Sequence, residues 1–259
     1  MADAPKLDYL AVAAHPDDIE ITCGGLLIKA ARHGYKTGAL DLTRGEMGTN
    51  GTEDDRTREL ANAAKILGLT YRGNLELPDS SVEYNQNNKL KLAQVIRDTK
   101  PDVVILPHWA QRHPDHLACS RLGYDACFLS GLKKIDLDGE PHRPRKILYV
   151  SYFRNTDYSF MVDISDFMRQ KLDAIAAYVS QFGNSMNVQD IFEMGAEELW
   201  QRTRGEKKEI FHPGETVFEL LMTRNRALGQ MVGVRFAEAY TVKEQILIEN
   251  PLAMPVRSI

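Results

Sequence analysis

Cysteine is scarce in this chain: only Cys23, Cys119 and Cys127 occur, and no pair of them stands at a metal-binding spacing. An odd count does not suit a disulfide framework and fits reduced thiols in a cytoplasmic setting. Long apolar runs are missing as well, and none approaches the ~18 residues that a membrane span requires. The opening MADAPKLDYLAV carries acids early and no apolar stretch ahead of a cleavage-like site, which predicts no secretory signal. There is no basic excess. Against 36 Asp and Glu stand 32 Lys and Arg, a net charge of -4. That argues against nucleic acid or an anionic membrane as the main partner. Internal repeats and low-complexity tracts are absent. What remains is an ordinary globular composition, 43% hydrophobic and 26% charged over 259 residues. This is enough for one large domain that needs no metal or disulfide merely to fold.

Along the first two-thirds, short apolar runs alternate with helical patterns. Strands are predicted at 8–14, 36–42, 75–77, 102–108 and 145–153, and helices at 24–33, 53–67, 89–99 and 117–129. Strand, helix, strand at this spacing means βαβ units. The expectation is an α/β fold, a three-layer Rossmann-like domain with a mostly parallel sheet. A strand near 159–165 and helices at 166–182 and 217–231 would form a small C-terminal elaboration. Residues 183–215 read as a solvated connection or an inserted lid. Ligands of such sheets bind beyond the carboxyl ends of the strands.

Two clusters fall there. His15-Pro16-Asp17-Asp18 follows the first strand, and His113-Pro114-Asp115-His116 follows the fourth. Neutral imidazole and carboxylate are good ligands for Zn²⁺ and similar ions. Each cluster has polar groups three apart, which a turn or helix start can aim at one point. Three protein ligands leave a position open for chemistry, and the surplus groups can act as base, acid and orienting partner. A single His-Pro-Asp equally suits a turn or a helix cap. Two of them behind strands of one sheet shift the balance to a metal site.

These residues resemble the PIG-L/LmbE family of metal-dependent N-acetylglucosaminyl deacetylases. The pieces are AAHPDDIEITCGG (13–25), DLTRGEMGTNGT (41–52), Arg56, NLELPD (74–79), PHWAQRHPDH (107–116), YVSQF (178–182) and VGVRFAEAY (232–240). The DLTRGE, NGT and NLELPD pieces look most like the bacillithiol-biosynthesis branch, which deacetylates N-acetylglucosaminyl-malate. The resemblance implies a zinc site on His15, Asp18 and His116, although such a set also suits Fe²⁺. It implies Asp17 as general base. It implies that His113 faces the scissile carbonyl, as a cation whose ring Asp115 orients and whose pKa Asp115 raises. Arg56 would meet the malate carboxylates; its ordinary alternative is a surface ion pair with Asp54, Asp55 or Glu59. The partner implied is a small-molecule glycoside, and family members often form homo-oligomers, trimers or hexamers. Other N-acetylglucosamine derivatives, chito-oligosaccharides or thiol S-conjugates are alternative substrates; a metal phosphoesterase or a non-catalytic metal module are more distant readings. Trp109 suits a sugar stack or simple packing, and Gly24 and Gly25 suit a close helix–sheet approach. Where the bacillithiol branch often carries a tyrosine near the start of the last long helix, this chain has Val217.

Overall fold

Short strands, most of them apolar and buried, build the sheet. They are β1 (Tyr9–Ala13), β2 (Thr37–Asp41), β3 (Tyr71–Asn74), β4 (Val103–Pro107) and β5 (Lys146–Val150), all parallel, in the order β3-β2-β1-β4-β5. The computed structural model describes residues 4–152, 156–183, 213–247 and 249. Alternation along β1 divides the core. Leu10 and Val12 face one way, onto α3 (Gln86–Thr99) and α4 (Pro114–Leu129), through Leu92, Ile96 and Leu122. Ala11 and Ala13 face the other way, onto α1 (Asp18–Arg32), through Ile19, Cys23 and Leu27. The small alanines let α1 lie close to the sheet. A second helix, α2 (Glu53–Leu67), packs beside α1. Thr52 starts it with a reciprocal cap: its hydroxyl accepts from the Asp55 N–H, and its own N–H donates to the Asp55 carboxylate. The NGT stretch is therefore, at its last residue, a helix start.

The strand order fixes where a ligand can sit. From β1 the chain goes to β2 on one side, and after β3 it crosses back to β4 on the other. The connections diverge between β1 and β4, and a crevice opens at the carboxyl ends of those two strands. Both His-Pro-Asp clusters flank it.

The elaboration comprises β6 (Phe160–Asp163), α5 (Met168–Ala176), α6 (Val179–Phe182), α7 (Pro213–Val232) and β7 (Ala237–Tyr240), with β6 and β7 an antiparallel pair. Ile164, Leu172, Ile175, Phe218 and Phe236 join Ile21 and Ala63 in a second core that fastens it to α1 and α2. At its centre lies a buried charge pair, with Lys171 Nζ 2.6 Å from Glu238 Oε1. The Glu238 carboxylate also accepts the Gly25 and Leu26 N–H groups at 2.8 Å each and the Tyr240 hydroxyl at 2.7 Å. No helix among the described residues is long and apolar enough to cross a membrane.

Six local readings need correction. The third strand lies at Tyr71–Asn74, not 75–77; an edge strand whose sequence is YRGN has no apolar run to betray it. The first helix begins at Asp18 rather than Gly24, and the fourth at Pro114 rather than Leu117. The helix expected over 166–182 breaks at Ala177–Tyr178, where Tyr178 leaves helical geometry and sends its hydroxyl to Glu20 at 3.0 Å. Strand β7 was not anticipated, because its central Glu238 conceals a buried strand. Gly25 accommodates Ile164 and Glu238 of the elaboration rather than the main sheet. Most of the 183–215 segment, residues 184–212, lies outside the described residues.

Candidate active site

Beyond β1 the chain leaves the sheet through His15 and Pro16 and turns into α1 at Asp17. Asp17 has φ 95, a left-handed conformation that a non-glycine residue adopts at a cost. It stands at the helix N-cap, yet its side chain makes no cap hydrogen bond. Its carboxylate lies instead 3.7 Å from Arg56 Nη1. The next residue turns the other way. Asp18 Oδ2 accepts the His15 backbone N–H at 3.0 Å and lies 3.4 Å from His15 Nδ1 and 3.2 Å from His116 Nε2. The two adjacent carboxylates, indistinguishable by spacing, are thus separated by one backbone conformation.

Donor atoms of His15, Asp18 and His116 lie within 4.8 Å of one another. Two imidazoles and a carboxylate of this closeness fit a divalent ion of the Zn²⁺ or Fe²⁺ kind, with room for a further ligand. The group sits at the N-termini of both α1 and α4, where helix dipoles favour the carboxylate.

His15, Asp17, Asp18, Arg56, His113 and His116 line one open cavity of ≈ 320 Å³, together with Gly45, Met47, Asp79 and Ser80. Arg56 is not a surface residue; it is 7% exposed. Two of its expected surface partners are engaged elsewhere, Asp55 with Arg58 and Glu59 with the Ser180 N–H and hydroxyl. Nη2 donates to the Pro16 carbonyl at 3.3 Å, and Nε and Nη1 have no hydrogen-bond partner. Gly45 (φ 69) makes room for it: a Cβ there would stand 2.5 Å from Nη2.

Charge follows the geometry. Burial, then the neighbouring Asp18, pushes the Asp17 carboxyl well above the usual range, while Arg56 pulls it back. Asp18 stays well below that range because, against burial, the His116 and His15 imidazoles hold its charge. His15 is lifted to about 9, against burial, by Asp18, Asp79 and Asp115. His113 moves down, by burial and by His15 and His116, and the opposing influence of Asp115 is too small to give the expected rise. Geometry points the same way. His113 is the N-cap of α4, and its Nδ1 accepts the Asp115 backbone N–H at 3.2 Å. That bond assigns the ring proton to Nε2 and leaves a neutral imidazole whose N–H can face an acyl oxygen.

Asp115 therefore orients His113 through its main chain. Its carboxylate, 2% exposed, accepts the Ser80 and Val82 N–H groups at 2.7 and 3.2 Å and lies 3.3 Å from His15 Nε2.

Residues 10–127, which carry every one of these site residues, match the family described as PIG-L, GlcNAc-PI de-N-acetylase. The diacetylchitobiose deacetylase of Thermococcus kodakarensis is 31% identical over 188 residues, 67% of this chain and 69% of that one. The chain belongs to the PIG-L family. Among solved structures, a conserved protein of Thermus thermophilus superposes with a TM-score of 0.80 at 39% identity, covering 96% of this chain and 99% of that one. The N,N'-diacetylchitobiose deacetylase of Pyrococcus horikoshii, solved with an inhibitor, gives 0.71 at 25% identity, over 93% of this chain and 84% of that one. This PIG-L chain is accordingly an N-acetylglucosamine-type deacetylase.

Two residues of the PIG-L site were not singled out from sequence. Asp79 sits in the cavity with Oδ1 3.1 Å from His15 Nε2; the NLELPD piece contained it without marking a role. Tyr152, just past β5, stacks on His116 with ring centroids 4.6 Å apart, and its hydroxyl faces Asp18. Val217, where a family tyrosine was sought, is half-buried in the apolar cluster of the elaboration. Trp109 is not among the residues lining this cavity; it stacks on His108 at 3.9 Å, and Lys243 Nζ lies 4.9 Å from its ring. Cys119 is buried, with its thiol pushed well up by burial, and it is not among the described residues whose donor atoms converge.

Proposed function

We propose that this chain is a zinc-dependent N-deacetylase of an N-acetylglucosamine derivative, releasing acetate and a free amine, and that N-acetylglucosaminyl-malate is its substrate. The observation that carries the reaction class is the convergence of His15, Asp18 and His116 beside a carboxylate, Asp17, that is spent on neither the cluster nor a helix cap. A divalent ion there supplies Lewis acidity and lowers the pKa of water. Asp17 takes the proton that water gives up, and Arg56, 3.7 Å away, opposes protonation of that carboxylate without overcoming the burial that raises it. His113 Nε2–H donates to the acyl oxygen as charge develops there; one such donor is typically worth ~10²–10³ in rate. Asp17, once protonated, can pass its proton to the departing amine.

The malate assignment is supported by the DLTRGE, NGT and NLELPD pieces and by Arg56, whose guanidinium lines the cavity and is of the kind that suits a carboxylate. A second reading, hydrolysis of diacetylchitobiose, is favoured by the two deacetylases of that name. The test is acetate release from the malate conjugate, diacetylchitobiose and N-acetylglucosamine by protein of known zinc content. Release confined to the malate conjugate, with a KM at least tenfold higher for Arg56→Lys on that substrate alone, is the expected result. Equal losses on all substrates would confine Arg56 to its contact with Asp17. Asp17→Asn should lose ~10²–10⁴ in kcat with zinc retained; undiminished turnover would remove Asp17 as the base.

A further inference from the structure

We propose that Asp79 and Asp115 are joint positioning residues for His15, holding its Nε2 from the loop after β3 and from the first turn of α4 so that Nδ1 is presented as the lone-pair donor to the ion. The inference rests on the metal-dependent reading above. It assigns the Asp115 carboxylate to His15 rather than to His113, and gives Asp79 a role that sequence had not suggested.

A neutral imidazole has one N–H and one lone pair, and the partner of the first decides where the second points. On His15 the two sides are sharply different. Nδ1 faces Asp18, 3.4 Å away, on the side where His116 also converges. Nε2 faces Asp79 Oδ1 at 3.1 Å and Asp115 Oδ2 at 3.3 Å. A proton on Nε2 is hydrogen-bonded by Asp115 and faces the Asp79 charge beside it, and Nδ1 is left bare. Metal-bound histidines commonly donate their other N–H to a carboxylate, which fixes the ring and strengthens its donor atom.

Both carboxylates are themselves anchored. Asp79 Oδ2 accepts the Met47 N–H at 2.9 Å. Asp115 is held by the Ser80 and Val82 N–H groups. Both are nearly sealed from water, their side chains 7% and 2% exposed. Held this way, the two oxygens cannot swing to follow His15, so it is the imidazole that must conform. His113 gets from Asp115 only the backbone N–H described above, and needs no carboxylate to choose its tautomer.

The experiment is zinc affinity of full-length wild type, Asp79→Asn and Asp115→Asn, by competition with a chromophoric chelator, with thermal unfolding of the metal-free proteins alongside. The expected result is a 10–100-fold loss of affinity in each variant, one zinc per chain in all three, and a metal-free Asp79→Asn that melts as the wild type does. A merely structural role would lower the metal-free melting temperature and leave affinity unchanged in folded protein. Unchanged affinity in both variants would overturn the proposal, whatever happens to turnover. So would a wild type that binds two zinc ions, one of them lost in the variants, because His15, His113 and Asp115 would then be ligands of a second ion. If Asp115→Asn does not fold, Asp79→Asn decides alone. A wild type that binds zinc but releases no acetate would sink the substrate reading and leave this one standing.

Discussion

Removing either member of the Lys171–Glu238 pair should destabilise the protein, and by unequal amounts. Both side chains are about 1% exposed and 2.6 Å apart. Breaking a buried pair by deleting one charge typically costs ~3–5 kcal/mol, because the other charge stays buried. In Lys171→Met the Glu238 carboxylate keeps three neutral donors, the Gly25 and Leu26 N–H groups and the Tyr240 hydroxyl. The loss should fall at the lower end, about 3 kcal/mol. In Glu238→Gln the buried Lys171 ammonium loses the carboxylate charge that neutralises it. The new amide also turns an NH₂ toward one of two helix N–H donors. That loss should reach the upper end, about 5 kcal/mol. At ~2–4 °C per kcal/mol for a chain of this size, the variants should melt roughly 6–12 °C and 10–20 °C below wild type. Since both delete the same interaction, the double variant should cost about 2 kcal/mol less than the sum of the singles. Urea unfolding of all four metal-free proteins closes the cycle. Additive singles, or either single within about 0.5 kcal/mol of wild type, would refute the view that this pair fastens the elaboration to α1.

Two neighbouring glycines should respond with opposite signs. A Cβ on Gly25 would stand 2.8 Å from Ile164 Cγ2 and 2.9 Å from Glu238 Oε1, so Gly25→Ala should cost ~1–3 kcal/mol or more by overpacking. On Gly24 the nearest atom would be Leu67 Cδ2 at 3.4 Å, an ordinary contact, so Gly24→Ala should be neutral or gain up to ~1 kcal/mol of helix propensity; matched losses in chemical denaturation would show the clearances are not what matters. Stability should also fall as pH rises because of Asp41. Burial first, and then Glu20, push its carboxyl up to about 7 against the pull of Arg72. The folded state thus holds a proton that the unfolded chain releases near pH 4, and the stabilisation present below ~4 is lost as pH climbs through ~7. Unfolding free energies between pH 4.5 and 8 should decline less in Asp41→Asn than in wild type; parallel curves would sink the assignment.

How much of this was legible in the sequence depends on what each residue answers to. β1, β2, β4 and β5 are apolar because they are buried on both faces, and that leaves a readable run. Helix α2 was readable to its ends because Thr52 caps it and Gly68 closes it in a left-handed turn with φ 71. β3 and β7 were hidden by Arg72 and Glu238, polar residues buried only because distant partners meet them. Arg72 lies between Glu20 and Asp41, and Glu238 is met by Lys171. The first turns of α1 and α4 were hidden for another reason: their residues answer to the site rather than to a 3.6-residue period. Local rules fail most where function or long-range pairing has displaced them. The two clusters were visible as motifs because their members are close in sequence. Asp79 was not, since its meaning appears only when the loops after β1, β3 and β4 meet.

The same helix ends that blurred those boundaries organise the charges. Helices α1 and α4 both begin at the crevice between β1 and β4, and each presents a positive dipole end to the site. At α1 that end meets Asp18, whose charge it supports. At α4 it meets His113, whose Nδ1 takes the Asp115 N–H as a cap. Burial first, and then the His15 and His116 imidazoles, oppose a second proton on that ring, and a positive helix end and the donated N–H act in the same sense. One architectural feature thus favours a charged donor and a neutral imidazole within one small cavity. In the proposed reaction it divides labour: proton traffic falls to Asp17, beside Arg56, and His113 is left as a fixed hydrogen-bond donor. The left-handed turn at Asp17 completes the division, because it sends one of two adjacent carboxylates toward the imidazoles and the other toward the arginine.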